Sequence, residues 1–142
     1  MIKRIFDFSC SLFGLLFFSP ALLIFAILIK LTSKGPILFI QERVGRNGIL
    51  FRMFKFRSML ITQDSSSTVS VKGDVRITKL GVILRRYKID ELPELLNVLL
   101  GDMSLVGPRP DVPGYADQLE GEQRKILFLR PGITGLASLK FA

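Results

Sequence analysis

Histidine and tryptophan are absent from this sequence of 142 residues, and cysteine occurs once, at Cys10. Without histidine the chain has no imidazole for acid–base catalysis, for a Ser-His-Asp triad or for metal ligation. A single cysteine excludes an internal disulfide and a cysteine-ligated zinc site within this chain. Any chemistry must therefore come from carboxylates, lysines, arginines, hydroxyls, backbone amides and a hard cation held by oxygen.

Acidic residues are scarce in the first part of the chain. Residues 1–89 carry 15 Lys/Arg and 4 Asp/Glu, whereas residues 90–142 carry 5 and 8. A basic region of this kind favours contact with phosphates or with an anionic membrane surface. The acidic remainder argues against a general nucleic-acid coat, so we expect no nucleic-acid partner. A membrane-tethered, basic nucleic-acid-binding module is the disfavoured alternative.

A long apolar run occupies residues 8–31 and contains one charged residue, Lys30. Its length suffices for a membrane-spanning helix. Ser19-Pro20 divides the run into two arms, because proline removes a backbone donor, and the Ser19 hydroxyl can bond the groups that it frees. Each arm is about half the hydrocarbon thickness of a bilayer, and cations flank both ends. Two topologies stay open: a re-entrant helix-break-helix in one leaflet and a kinked single span.

The remaining sequence predicts a mixed, α+β arrangement of helices and strands. Residues 36–44 and 49–59 predict two strands, joined by a tight turn at Asn47-Gly48. The polar, serine-rich residues 62–74 predict a surface loop.

Three helices are predicted after this loop. One covers residues 79–88 with Thr78 as its N-cap, the next covers residues 91–100 with Asp90 as its N-cap, and the third covers residues 115–129. We find no internal repeat and no linker. We therefore expect a membrane anchor over residues 1–34 and one further domain over residues 35–142.

Two adjacent carboxylates, Asp90 and Glu91, are the most informative candidates for chemistry. The amides at a helix N-terminus favour ionised carboxylates. An ionised aspartate can attack phosphorus when cations or a metal offset the repulsion, and Glu91 beside it could hold Mg²⁺ or accept a proton. Asp and Glu are also ordinary residues at the start of a helix. These two residues alone leave both interpretations open.

Two further features could bind anions. Arg109 lies between Pro108 and Pro110, which fix its backbone. Its planar guanidinium suits a phosphate or a pyrimidine edge. A proline turn with a solvated arginine would give the same sequence pattern. Lys55 and Arg57 alternate with phenylalanines, a pattern typical of an anion-binding strand, of a nucleic-acid surface or of side chains that snorkel at a membrane.

Seven segments in order, taken together, resemble the bacterial sugar transferase family, the monotopic phosphoglycosyl transferases. They are KRIFD (residues 3–7), SP (19–20), QERVGRNG (41–48), FKFRSM (54–59), RITKLGVILRR (76–86), DELPELLNVLLGDMSLVGPRP (90–110) and PGITGL (131–136). The resemblance implies that a sugar-1-phosphate moves from a UDP-sugar to undecaprenyl phosphate through a covalent aspartyl-phosphosugar intermediate. This step would initiate a surface polysaccharide or glycoconjugate.

The resemblance also implies roles for individual residues. Asp90 matches the catalytic nucleophile, and Glu91 matches its partner in holding Mg²⁺ or activating the acceptor. The matching substrate-binding residues are Lys55, Arg57, Arg85, Pro108, Arg109 and Pro110. The matching residues of the membrane anchor are Arg4, Asp7, Ser19 and Pro20, which favour the re-entrant topology.

On this basis we expect an enzyme at the inner (cytoplasmic) membrane, in contact with membrane lipid and with its catalytic domain facing the cytoplasm. The sequence departs from the family pattern at Glu94, where glutamine is usual, and at its end, because it stops at Ala142 soon after residues 131–136. An inactive or partial membrane-bound remnant that acts as a non-catalytic partner is therefore the alternative.

Overall fold

The computed structural model describes residues 2–60 and 74–135. Its elements in chain order are α1 (Ile2–Thr32), β1 (Leu38–Val44), β2 (Leu50–Phe56), α2 (Lys79–Arg86), α3 (Glu94–Leu100), β3 (Ser104–Val106) and β4 (Gly132–Thr134). Short 3-10 segments lie at Arg46–Gly48, Ile89–Glu91, Ala116–Gln118 and Gly121–Phe128. The α+β prediction is confirmed. The predicted loop over residues 62–74 falls outside the described residues except for Asp74.

Helix α1 continues through Pro20 without interruption over its 31 residues, which differs from the predicted helix-break-helix. Pro20 has no N–H to donate to the carbonyl of Leu16, four residues earlier. The hydroxyl of Ser19 donates to that carbonyl instead, at 2.7 Å. Because the Leu16 carbonyl receives a hydrogen bond from Ser19, the helix continues through Pro20. The helix is long and apolar enough to cross a membrane, by length and composition alone.

The N-terminal end of α1 is attached to the α/β part of the molecule by two charged side chains. Arg4 donates to the carbonyls of Val98 and Leu99 at 2.5 and 2.9 Å, where α3 ends. A cation at this position also complements the helix dipole. Asp7, which is 4% exposed, accepts from the Ser104 hydroxyl at 2.8 Å. Arg4 and Asp7 therefore hold the start of α1 against α3 and β3.

The C-terminal end of α1 packs against the same unit. Ile29 is buried with Phe56 and Leu84 in one of the hydrophobic clusters. Arg57 follows β2 and donates to the carbonyls of Ser33 and Lys34, both at 2.8 Å. The two ends of the apolar helix are thus fixed to one small α/β unit.

Strands β1 and β2 form the predicted antiparallel hairpin. Arg43 pairs with Phe51, and Phe39 pairs with Lys55. Asn47 adopts a left-handed conformation (φ 58°) in the turn, as the Asn-Gly signal predicts. Alternation along the strands places Arg43 and Lys55 on the same face of the hairpin.

Helix α3 packs on the hairpin through a buried asparagine. Asn97 accepts from the Phe54 amide at 3.0 Å and donates to the Arg52 carbonyl at 2.7 Å, so one side chain bonds the β2 backbone twice. Val98 packs nearby in the hydrophobic cluster that includes Phe51 and Met53. The helix ends at Gly101, which has a left-handed conformation (φ 99°), as predicted.

The segment that carries Arg109 is held between β4 and β1. The Gly132 amide donates to the Pro108 carbonyl at 2.8 Å, and the Val44 amide donates to the Asp111 carbonyl at 2.9 Å. The backbones of Gly107 and Gly132 approach so closely that a Cβ on either residue would overlap the other. These contacts fix the position of Arg109 relative to the hairpin.

Two predicted helices differ from the structure. The helix predicted over residues 91–100 begins at Glu94, and Asp90 is not its N-cap, because Pro93 precedes it and Asp90 lies in a 3-10 turn. The helix predicted over residues 115–129 is wrong: this region forms two 3-10 segments, separated near Gly121, which has a left-handed φ of 57°. By contrast Thr78 caps α2 as predicted, since its hydroxyl accepts from the Gly81 amide at 2.8 Å.

Candidate active site

Asp90 and Glu91 lie in the 3-10 turn that joins α2 to α3. Lys88 enters this turn in a left-handed conformation (φ 58°), which reverses the chain after α2. The turn packs against β2. The surroundings of Asp90 and Glu91 in this turn differ.

Glu91 faces a cleft in which opposite charges converge. Lys55 lies between two carboxylates, with its Nζ 3.0 Å from Oε1 of Glu91 and 3.1 Å from Oε1 of Glu94. Arg109 approaches the same Glu91 oxygen at 3.4 Å. The charged residues that line the cleft are Arg43, Lys55, Glu91, Glu94 and Arg109.

The two glutamates of the cleft have opposite pKa shifts. Burial acts to raise the pKa of Glu91, but the cations of Lys55 and Arg109 outweigh it and bring the pKa below its ordinary value. Burial raises the pKa of Glu94 to about 7, against the attraction of Lys55 and with the help of the negative charge of Glu91. Lys55 thus contacts both carboxyl groups at nearly the same distance, but burial disfavours the ionised form of Glu94.

Asp90 has a different environment. Burial and the neighbouring charge of Glu91 raise its pKa, while Lys55 and Arg85 oppose the rise. Asp90 lies in a 3-10 turn and not at the start of a helix, and burial with the charge of Glu91 outweighs the backbone hydrogen bond that favours its ionised form. Its Oδ1 is buried and accepts no hydrogen bond from the described residues. Arg85 itself donates to the Ser58 hydroxyl at 2.8 Å.

The structure brings together only part of the predicted site. Lys55, Glu91, Arg109 and Pro110 meet at the cleft. Asp90 and Arg85 interact electrostatically but do not line the cleft, and the Pro108 carbonyl accepts from the Gly132 amide of β4. Arg57 is placed elsewhere: its guanidinium is buried against the end of α1.

Two residues of the cleft, Arg43 and Glu94, are missing from the predicted site. The hairpin register carried a signal for Arg43, because it alternates with Gln41 on the face that also presents Lys55. Glu94 lies three residues after Glu91, a separation at which side chains on neighbouring turns can face the same way. The sequence marked it only as a departure from the family pattern.

The carboxylates are compatible with magnesium. Mg²⁺ is usually held by one or two carboxylates together with waters and substrate phosphates rather than by a complete protein cage. Asp90 offers a buried oxygen without a hydrogen-bond partner among the described residues, and Glu91 is adjacent. Residues 2–60 and 74–135 contain no group of three or more His, Cys, Asp or Glu that could hold a metal ion.

The fold and the cleft together define a class of protein. It consists of a small α+β unit that is fixed to a long apolar helix and carries a cleft lined by carboxylates and cations. The chain belongs to the bacterial sugar transferase family, whose model matches residues 1–142.

Curated relatives agree with this assignment. The exopolysaccharide production protein PSS of Rhizobium leguminosarum bv. phaseoli is 47% identical over 99% of this chain and 74% of its own length. A UDP-N-acetylgalactosamine-undecaprenyl-phosphate N-acetylgalactosaminephosphotransferase of Aeromonas hydrophila is 42% identical over 97% of this chain. A UDP-glucose:undecaprenyl-phosphate glucose-1-phosphate transferase of Caulobacter vibrioides is 44% identical, also over 97%. The chain spans 34% of the Aeromonas protein and 53% of the Caulobacter protein.

Proposed function

We propose that this chain is a transferase that moves a sugar-1-phosphate from a UDP-sugar to undecaprenyl phosphate, as the first step in building a surface polysaccharide. The observation that carries the proposal is the environment of Asp90: a buried, uncommitted carboxylate oxygen beside Glu91 and within the electrostatic reach of Lys55 and Arg85. The names of the Aeromonas and Caulobacter relatives support the donor and the acceptor.

In the proposed first step, a carboxylate oxygen of Asp90 attacks the β-phosphorus of the UDP-sugar. The bond from this phosphorus to the bridging oxygen breaks, UMP leaves with that oxygen, and the sugar phosphate stays on Asp90 as an acyl phosphate. In the second step, a phosphate oxygen of undecaprenyl phosphate attacks the same phosphorus. The Asp90 carboxylate is released, and the product is a lipid-linked diphosphate sugar.

The main electrostatic obstacle to this reaction is the repulsion between the anionic donor and a carboxylate nucleophile. Lys55 and Arg109 offset this repulsion and stabilise charge on the transferring phosphoryl group. Mg²⁺, when held by Asp90 and Glu91, would supply further neutralisation of the phosphate charge. The raised pKa of Asp90 shows why such help matters, since its burial disfavours the ionised nucleophile.

We propose a monotopic position at the inner membrane, with the α/β unit in the cytoplasm. The acceptor is a lipid, so the site must lie close to its headgroup. Helix α1 supplies a long apolar surface, and only 6% of an 18-residue apolar stretch of it is buried. Both ends of α1 contact one unit. A helix that crossed the bilayer would place its two ends on opposite sides, so the contacts of both ends with one unit favour the monotopic position.

The test is release of UMP from membranes that contain the chain, a UDP-sugar, undecaprenyl phosphate and Mg²⁺. Asp90→Asn should lower the rate about a thousandfold or more, because the amide is not a nucleophile and the intermediate cannot form. Glu122→Gln is the matched control, since Glu122 is exposed and pairs only with Lys125 among the described residues, and it should leave the rate unchanged. Undiminished UMP release by Asp90→Asn would remove Asp90 from the nucleophile's role.

A further inference from the structure

Arg43 lies in the cleft but has no part in the chemistry proposed above. Its Nη2 donates to Oε1 of Gln41 at 2.7 Å, and its Nη1 donates to the carbonyl of Pro110 at 3.3 Å. Its Nε is buried and has no hydrogen-bond partner among the described residues. Gln41 and the backbone thus orient the guanidinium, and its Nε–H is left without a partner among the described residues.

Arg43 also forms no salt bridge with the carboxylates near it in the described part of the chain. The carboxylates of Glu91 and Glu94 are engaged by Lys55, and Arg109 contacts Glu91 as well. In the part of the chain that the structure describes, Arg43 forms no ion pair and is bonded only to neutral oxygens. Burial and the nearby Arg109 cation lower its pKa, although the charges of Asp111 and Glu94 act to raise it. A partly buried cation next to a second cation costs free energy that a bound anion would recover.

We propose that Arg43 and Arg109 together bind a phosphate group of the substrate, Arg43 from strand β1 and Arg109 from the turn after β3. Guanidinium groups bind phosphate through paired, charge-assisted hydrogen bonds, so two of them can hold one phosphate or bridge a diphosphate. The inference deepens the proposed function and rests on it for the identity of the substrates. The phosphate belongs either to the diphosphate of the donor or to the lipid phosphate of the acceptor.

The experiment measures binding of four probes to the full chain in detergent: pyrophosphate, UDP, uridine and a short-chain polyprenyl phosphate. Arg43→Gln should weaken pyrophosphate binding about tenfold or more, and Arg43→Lys should recover part of the loss because it keeps the charge. Arg52→Gln is the matched control, since Arg52 is exposed on the other face of the same hairpin, and it should bind every probe like the wild type.

UDP and the polyprenyl phosphate are the two probes that identify the source of the phosphate. A loss confined to UDP assigns Arg43 to the donor, a loss confined to the polyprenyl phosphate assigns it to the acceptor, and a loss on both means that it serves both in turn. Uridine separates binding from positioning, because Arg43 also holds the Pro110 carbonyl. If uridine and UDP weaken by the same factor, Arg43 acts only through the turn, and the inference is overturned.

Failure of the inference and failure of the proposed function give different results. If the wild type binds pyrophosphate through Arg43 but releases no UMP from any UDP-sugar, the phosphate site stands and the proposed reaction falls. If folded Arg43→Gln and Arg43→Lys both bind every probe as tightly as the wild type, or if the wild type binds none of them, the phosphate site is refuted. Circular dichroism checks the fold of each variant.

Discussion

Glu91 and Glu94 contact the same ammonium group, yet their carboxyl groups respond to it differently. Glu91 is also approached by Arg109, and its pKa falls below the ordinary value. Glu94 is 3% exposed, and its burial outweighs the attraction of Lys55, so that its pKa rises to about 7. A residue with that pKa is partly protonated at neutral pH, which makes it resemble the glutamine usual in the family at this position.

We predict that Glu94→Gln changes how stability depends on pH. Below about pH 4.5 Glu94 is protonated in both the folded and the unfolded chain, so its titration does not change the free energy of unfolding. Between about pH 4.5 and pH 7 the folded chain holds a proton that the unfolded chain has released, so stability falls as pH rises, by up to about 3 kcal/mol. The glutamine variant avoids this loss and should be the more stable protein at pH 8.

The measurement is the free energy of unfolding in detergent at pH 5 and at pH 8 for the wild type, Glu94→Gln and the exposed control Glu122→Gln. The control should follow the wild type at both pH values. If Glu94→Gln loses as much stability between pH 5 and pH 8 as the wild type, Glu94 does not titrate in this range. The burial of Glu94 is then not the cause of the pH-dependent loss of stability.

At the scale of secondary-structure elements, the sequence was most informative where the signals are local. The Asn47-Gly48 turn, the Thr78 cap and the Gly101 terminus each depend on a few neighbouring residues, and each is observed. Asp90 carried a good N-cap signal but lies in a 3-10 turn, because the left-handed Lys88 and the position of Pro93 delay α3 until Glu94.

Asn97 shows what local signals cannot supply. An asparagine inside a predicted helix has no obvious partner in sequence, but it bonds the backbone of β2 some forty residues earlier. We predict that Asn97→Ala destabilises the protein by about 2–4 kcal/mol, because the Phe54 amide and the Arg52 carbonyl both lose a buried partner. Leu100→Ala, at a residue that is 69% exposed on the same helix, is the control and should cost less than about 1 kcal/mol. Equal losses in chemical denaturation would show that the Asn97 bonds do not join α3 to the hairpin.

At the scale of the whole molecule, the candidate site depends on contacts between distant parts of the chain. Lys55, Glu91 and Arg109 come from β2, from the turn before α3 and from the segment after β3. Neither periodicity nor spacing could bring these residues together, and the resemblance to a family supplied that expectation. It gave no role to Arg43, although the alternation along the strands places Arg43 on the same face of the hairpin as Lys55.

The attachment of both ends of α1 to one unit predicts the membrane topology. In a Cys10→Ser background, Ile2→Cys and Val75→Cys place a thiol at exposed positions near the start of α1 and in the α/β unit. A membrane-impermeant maleimide should label neither variant in intact cells and both after permeabilisation. Phe17→Cys, exposed at mid-helix, should stay unlabelled because lipid covers it. Labelling of Ile2→Cys alone from outside would establish a single span instead.

The central claim, that Asp90 forms the covalent bond to the transferred phosphorus, is tested most directly by mass spectrometry. The purified chain is incubated with a set of UDP-sugars and Mg²⁺ without lipid acceptor, digested, and its peptides are weighed. The account predicts a mass increase equal to one sugar phosphate on the peptide that contains Asp90, lost on addition of undecaprenyl phosphate and absent from Asp90→Asn. An adduct on any other residue, or none on folded protein that releases UMP, would contradict it.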